Sequence, residues 1–168
     1  IFHDKPPNPE RKGSRPLLQW TELKKRYGSF SLDVERGKIG VGDVVGILGM
    51  NGIGKTTFIK MLAGVETPDE GAVNNPTLKV SYKPQYISQQ SVEGTVEQVL
   101  RKAAGEKYGE QWFTAEVVEP LHVRRMLERD VKVLSGGELQ RLAIAECLSR
   151  DADIYLLDEP SAYLDVEE

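Results

Sequence analysis

A single cysteine, Cys147, stands among 168 residues, so no disulfide forms within the chain and a disulfide-stapled framework is excluded. The lone thiol fits a reducing, cytoplasmic setting, and its spacing from Leu142, Ala143 and Ile144 predicts a packed core side chain rather than a nucleophile. No apolar run approaches the roughly 18 to 20 residues that cross a bilayer, and no signal-peptide pattern opens the sequence. Positive charge is not in excess. Lys and Arg total 22 against 26 Asp and Glu, a net charge of −4, so no broad electrostatic grip on nucleic acid follows. Histidine is scarce, with His3 and His122 alone. Internal repeats, low-complexity segments and sustained heptads are also missing. What remains, 39% hydrophobic and 29% charged, is ordinary for a globular chain of one-domain size.

Local patterns divide the chain. Residues 1–16 carry four prolines and a basic cluster, and read as an extended, hinge-like arm; His3 lies in it as a solvated residue. Leu17–Lys24 and Ser29–Arg36 alternate with a period of two, which predicts two strands of an antiparallel edge sheet. Asp43–Leu48 is a β-branched run expected as a strand leading into a glycine-rich loop. Lys55–Gly64 then reads as a helix with Phe58, Ile59, Met61 and Leu62 inward and Gly64 as its stop. Pro68–Gly71 is a turn, and Leu78–Tyr82 another strand, ending near Gln85. Helical spacing governs Thr95 to about Leu127, and a further helix is expected from Ser135 to about Leu148. The apolar strand Ile154–Leu157 and a turn at Pro160 follow. The expected organisation is an arm (1–16), a core with an edge sheet (17–84), a helical insertion (85–150) and an acidic strand with its loop (151–168). The opening on Ile1 and the stop just past the acidic strand suggest a piece of a longer protein.

Three segments carry the chemistry. Gly49–Thr56 reads GMNGIGKT and fits G-x-x-x-x-G-K-[ST]. Gly49, Gly52 and Gly54 let the backbone curl around phosphates, and the following helix N-terminus favours negative charge. Gly49, Asn51, Gly52, Ile53, Gly54, Lys55, Thr56 and Thr57 are therefore the expected nucleotide contacts, with Lys55 on the β/γ oxygens and the Thr56 hydroxyl on Mg²⁺. Asp158 and Glu159 end the apolar strand; Asp158 is placed to hold Mg²⁺ and Glu159 to orient or deprotonate the attacking water. The same pair before Pro160 also fits a helix cap with an exposed acid. Ser135, Gly136 and Gly137, with Glu138 behind them, open a helix where bare N–H groups make an anion site. They equally fit an ordinary N-cap. One triphosphate already has its loop, so a second anion site suggests action in trans on a partner's nucleotide.

LSGGELQR at Leu134–Arg141 resembles the signature sequence of ATP-binding cassette proteins, in company with the glycine loop and the acidic strand. The resemblance implies an α/β fold, a P-loop NTPase of ABC type with a mostly parallel core sheet, an antiparallel edge sheet and an inserted helical subdomain. It implies ATP and Mg²⁺ as ligands, Gln85 as a residue touching Mg²⁺ and water, and Tyr27 stacked on adenine; a plain surface tyrosine is the alternative for Tyr27. Ser161–Asp165 looks like the loop crossing the interface between cassettes. SYKPQYIS (Ser81–Ser88) and DEPSAYLDVE (Asp158–Glu167) resemble more narrowly the ABCE family, also called RNase L inhibitor. TTFIKMLAGVETPDEG resembles the second of that family's two cassettes. The family implies ribosome recycling driven by cassette closure, with a second cassette, ribosomal subunits and release or rescue factors as partners, and no membrane.

One departure stands out: cassettes place a switch histidine after the catalytic glutamate, whereas His3 and His122 both precede it. The hydrolytic site within these residues is expected to be incomplete and this stretch alone a poor catalyst. Two rival readings remain. A transporter's nucleotide-binding subunit carries the same motifs on a separate chain. A chromosome or repair ATPase clamping nucleic acid would carry a long coiled coil, and no heptads appear between Gln85 and Leu134.

Overall fold

The computed structural model describes residues 16–74, 77–86, 88 and 92–162. The arm through Arg15, His3 and the interface-loop residues 163–168 lie outside the described residues. Two compact units share the chain. One carries it to Leu62 together with the segment from Glu66 onward; the other holds 63–65 and everything from Thr77.

In the first unit, the strands are β1 (Pro16–Trp20), β2 (Leu23–Tyr27), β3 (Phe30–Val34), β4 (Gly37–Gly40) and β5 (Val73–Asn74). β2 and β3 form an antiparallel hairpin, and β1 lies between β4 and β5, antiparallel to both. The alternation expected to give one strand over Leu17–Lys24 is broken at Thr21 and Glu22, so it contributes to two small sheets. The break has a cause: Thr21 N and Oγ1 both reach the Ala72 carbonyl, which bends the chain toward the 68–71 turn. Gly71 permits that turn, since its φ is +88° and a Cβ would stand 2.0 Å from the Glu22 carbonyl oxygen. Helix α1 (Lys55–Leu62) buries Ile59, Met61 and Leu62. Phe58, expected inward, is half-buried and packs edge-on against Trp20 at 5.4 Å.

Asp43–Leu48 does not form the expected strand. Asp43 instead closes a turn, its carboxylate accepting from Gly40 N at 2.7 Å and its own N–H donating to the Gly40 carbonyl. Val44 is 100% exposed and Leu48 95%. Strand preference is a preference for a paired, half-buried surface, and within this unit the run pairs with nothing among the described residues.

The second unit joins β6 (Val80–Lys83) and β7 (Ile154–Leu157) as a parallel pair, in the register Val80↔Ile154 to Lys83↔Leu157. Helices α2 (Val96–Ala104), α3 (Gln111–Phe113, continuing through a wide π-helical turn at Thr114–Val118) and α4 (Gly136–Ser149) supply most of the core. Val96, Leu100, Phe113, Val117, Met126, Leu139 and Leu142 pack together there. Each such side chain contributes about 1.5–3 kcal/mol of burial. α2 begins with a reciprocal cap between Thr95 and Gln98, which explains its sharp start. Cys147 is buried in α4 against β6, where the Ser81 hydroxyl donates to its carbonyl at 2.7 Å. Burial pushes the thiol pKa up from 9.0, so Cys147 is a packing residue as expected.

Candidate functional site

In the first unit the glycine loop runs from an exposed approach into α1. Gly52 and Gly54 take φ values of +83° and +105°. At Gly54 a Cβ would lie 2.8 Å from Leu32 and 3.2 Å from the Phe30 ring, so the hairpin under the loop admits only glycine there. The Phe58 N–H donates to the Gly54 carbonyl at 2.9 Å, so the first turn of α1 closes on the last glycine of the loop. Lys55 folds back over the curl, its ammonium donating to the carbonyls of Gly49 (2.7 Å) and Met50 (3.0 Å). Gly49, Asn51, Gly52, Ile53, Gly54, Lys55, Thr56 and Thr57 thus sit on one loop-to-helix turn, with Asn51, Gly52 and Ile53 exposed. A glycine loop running into a helix N-terminus beside a lysine is suited to holding an anion.

Tyr27 ends β2 and is 46% exposed. Its ring stacks on Phe30 at 6.5 Å, with the Lys25 ammonium 5.3 Å from its centroid. Partial burial, followed by a hydrogen bond to Glu66, raises its hydroxyl pKa. The phenol is neutral and its side chain partly exposed.

In the second unit, β7 delivers Asp158, 1% exposed, and then Glu159 at a turn. Glu159 is one of two non-glycine residues with positive φ among those described, at +46°. A left-handed residue with a side chain costs about 1–2 kcal/mol, and neighbours must hold it. They do. Gln140 of α4 donates from Nε2 to the carbonyls of Glu159 (2.9 Å) and Pro160 (3.2 Å), and Ala162 N donates to Glu159 O at 3.1 Å. Gln85 donates from Nε2 to the Glu159 carboxylate at 3.0 Å. Gln85, Asp158 and Glu159 are therefore assembled in one place, across the ends of β6 and β7.

Two residues of this place were not singled out from the sequence. Gln140 is 3% exposed and ties the signature helix to the acid turn. Lys83, on β6, is 1% exposed, with Nζ 3.0 Å from the Asp158 carbonyl. Burial lowers its pKa from 10.5, and the nearby Asp158 opposes that shift. Spacing could have hinted at it: Lys83 falls two residues after Ser81, on the same face of β6.

Ser135 caps α4: its hydroxyl accepts from Glu138 N at 3.3 Å, and its own N–H donates to the Glu138 carboxylate at 2.8 Å. Arg129 also binds that carboxylate. The ordinary cap is thus formed, while Ser135 and Gly136 remain exposed at the helix tip. The cap hydrogen bonds, then Arg129, hold the Glu138 pKa below its ordinary 4.5. A depressed carboxylate stabilises the fold fully above about pH 4.5, and that contribution drains away as pH falls through the lower folded value. Ser135→Ala should therefore cost about 1 kcal/mol in denaturant unfolding. The acid limb of stability should persist in the variant, because the Ser135 N–H and Arg129 still hold the Glu138 carboxylate; an unchanged midpoint would show the hydroxyl cap to be inert.

Asp158 and Gln85 of the second unit offer a carboxylate and an amide oxygen, and Thr56 of the first unit offers a hydroxyl; each is a hard oxygen donor of the kind that suits Mg²⁺. Among the described residues no group of three or more His, Cys, Asp or Glu could hold a metal by itself, so such an ion would rely on phosphate and water oxygens as well. Among the described residues, too, no helix is long and apolar enough to cross a membrane.

The family model described as ABC transporter matches residues 30–162. An uncharacterized ABC transporter ATP-binding protein of Methanocaldococcus jannaschii is 55% identical over 92% of this chain and 26% of that protein. Translation initiation factor RLI1 of Saccharomyces cerevisiae is 46% identical over 90% of this chain and 24% of its own length. ABC transporter E family member 3 of Arabidopsis thaliana is 42% identical over 84% of this chain and 80% of that protein. The solved complex of archaeal ribosomal stalk protein aP1 with archaeal ribosome recycling factor aABCE1 superposes with a TM-score of 0.88 at 51% identity, covering 99% of this chain and 31% of the solved one. The chain thus spans about a quarter of the archaeal and yeast relatives and most of the plant one. With its glycine loop, signature helix and acid turn arranged as above, the chain belongs to the ABC transporter E family of ATP-binding cassette proteins.

Proposed function

We propose that this chain is the ATP-binding and hydrolysing part of a cytoplasmic twin-cassette ATPase that splits ribosomes into subunits, and that it comes from the second cassette. The likeness to the archaeal ribosome recycling factor carries this reading. ATP is held by the loop Gly49–Thr57, with Lys55 leaving its two carbonyl partners for the β/γ-phosphate oxygens and Tyr27 stacking on the adenine. Thr56, Asp158 and Gln85 would hold Mg²⁺, which when bound neutralises phosphate charge. Glu159 accepts the proton of the attacking water, in a carboxylate position steadied by Gln85. The helix tip at Ser135, Gly136 and Gly137, with Glu138 in its cap, meets the γ-phosphate held by the other cassette, so that ATP joins the two.

Closure with ATP and parting after hydrolysis convert the chemistry into motion between cassettes. Ribosomal subunits and release or rescue factors are the partners on which that motion works. The complete protein should co-sediment with ribosomal subunits in a non-hydrolysable ATP analogue, and should shift intact ribosomes toward subunits on a gradient when ATP is supplied. Recovery with a membrane permease, and none with subunits, would instead identify a transporter's nucleotide-binding part.

A further inference from the structure

Lys83 lies at the end of β6 with its side chain 1% exposed, among the largest fully buried side chains described. Lysine is almost never buried this completely without a partner, and a strand packed under α4 would be served better by an aliphatic residue. The buried ammonium has a definite target. It donates to the Asp158 carbonyl at 3.0 Å, while the Asp158 N–H donates back to the Lys83 carbonyl at 3.0 Å. Lys83 therefore holds Asp158 twice, once through the parallel ladder and once through its side chain.

The carbonyl so held belongs to the peptide that joins Asp158 to Glu159, and the next φ is the strained +46° of Glu159. Fixing that peptide plane fixes the direction in which Glu159 leaves the strand. Gln140 grips the far side of the same residue through the Glu159 carbonyl, and Gln85 grips its carboxylate. Without the ammonium, one of the three grips is lost and a buried carbonyl must find another donor.

We propose that Lys83 is a positioning residue for ATP hydrolysis: its buried ammonium locks the Asp158–Glu159 peptide and so aims the Glu159 carboxylate at the water it activates. The assignment rests on the cassette ATPase reading above. A brace of this kind acts on the chemical step and leaves nucleotide binding alone, because the P-loop makes the phosphate contacts.

The test is steady-state ATP hydrolysis by the complete protein carrying Lys83→Met, which keeps the length of the side chain and removes the donor. We expect kcat to fall about 10- to 100-fold through misalignment of the base. KM for ATP should stay within about twofold, and the melting temperature within about 4 °C of the parent. Lys83→Arg, which retains a cationic donor, should recover part of kcat. An unchanged kcat, or a loss of kcat matched by a rise in KM, overturns the assignment. If Lys83→Met does not fold, Lys83→Gln is read on the same two constants; failure of both to fold makes Lys83 a stability residue and also overturns it. The parent separates this idea from the reading beneath it. An inactive parent removes both, whereas an active parent with an equally active Lys83→Met removes this one alone.

Discussion

Glu159→Gln in the complete protein should lower ATP turnover by about 10²- to 10⁴-fold, the usual worth of a positioned general base, with ATP still bound. The substitution is nearly isosteric, and the structure explains why it leaves the turn in place. Gln140 and Ala162 hold Glu159 through its carbonyl, which the change does not touch. Gln85 can still donate to an amide oxygen where it now donates to the carboxylate. Glutamine also tolerates a φ of +46° no worse than glutamate does. Only the proton acceptor disappears. Single-turnover hydrolysis alongside nucleotide-binding measurements checks the result, and turnover within about threefold of the parent would remove Glu159 from the catalytic role.

Lys55→Ala should have the second large effect, on binding. The Lys55 ammonium spans two main-chain carbonyls, at 2.7 and 3.0 Å, and both contacts are with its own loop. Phosphate oxygens carry full negative charge, so they compete well for the same donor hydrogens. Losing two charge-assisted hydrogen bonds at about 1.5–3 kcal/mol each corresponds to about 10²- to 10⁴-fold in Kd. Alanine is the best helix former, so α1 should begin at the same place and the fold should survive. Calorimetric titration of ATP gives the answer. An affinity within about threefold of the parent would mean that the loop amides alone bind the phosphates.

These two effects are independent in origin. Lys55 belongs to the loop-and-hairpin unit, and Glu159 to the unit built on α2, α3 and α4. The first should appear as lost affinity, and the second as lost chemistry at retained affinity. Lys83→Met should resemble the second in kind and be smaller in size, because it disturbs the aim of the base and leaves the base in place.

The functional residues most legible in the sequence were those whose role depends on the chain next to them. The phosphate loop, the Ser135 cap with Glu138 three residues on, and the apolar run ending in Asp158 and Glu159 are each contiguous. α4 begins and β7 ends where the residue pattern places them. The run Asp43–Leu48 shows the opposite case. Its valines and leucine have the composition of a strand, but a strand exists only where a ladder partner exists, and composition does not name the partner. Likewise, Leu17–Lys24 reads as one strand until the hydrogen bonds of Thr21 to a segment some fifty residues away divide it.

By itself the sequence determined the kind of chemistry: glycines that curl around phosphate, a cation beside them, a capped helix tip and a buried strand ending in two acids. Short-range geometry suffices for each, because backbone freedom, capping and alternation act over a few residues. The tertiary structure decided how the acid turn is held. The register that sets Lys83 beside Leu157 carries its ammonium to the Asp158 carbonyl, and the packing of α4 brings Gln140 to Glu159. Both depend on contacts between segments far apart in the chain, whose pairing is settled only when the core closes.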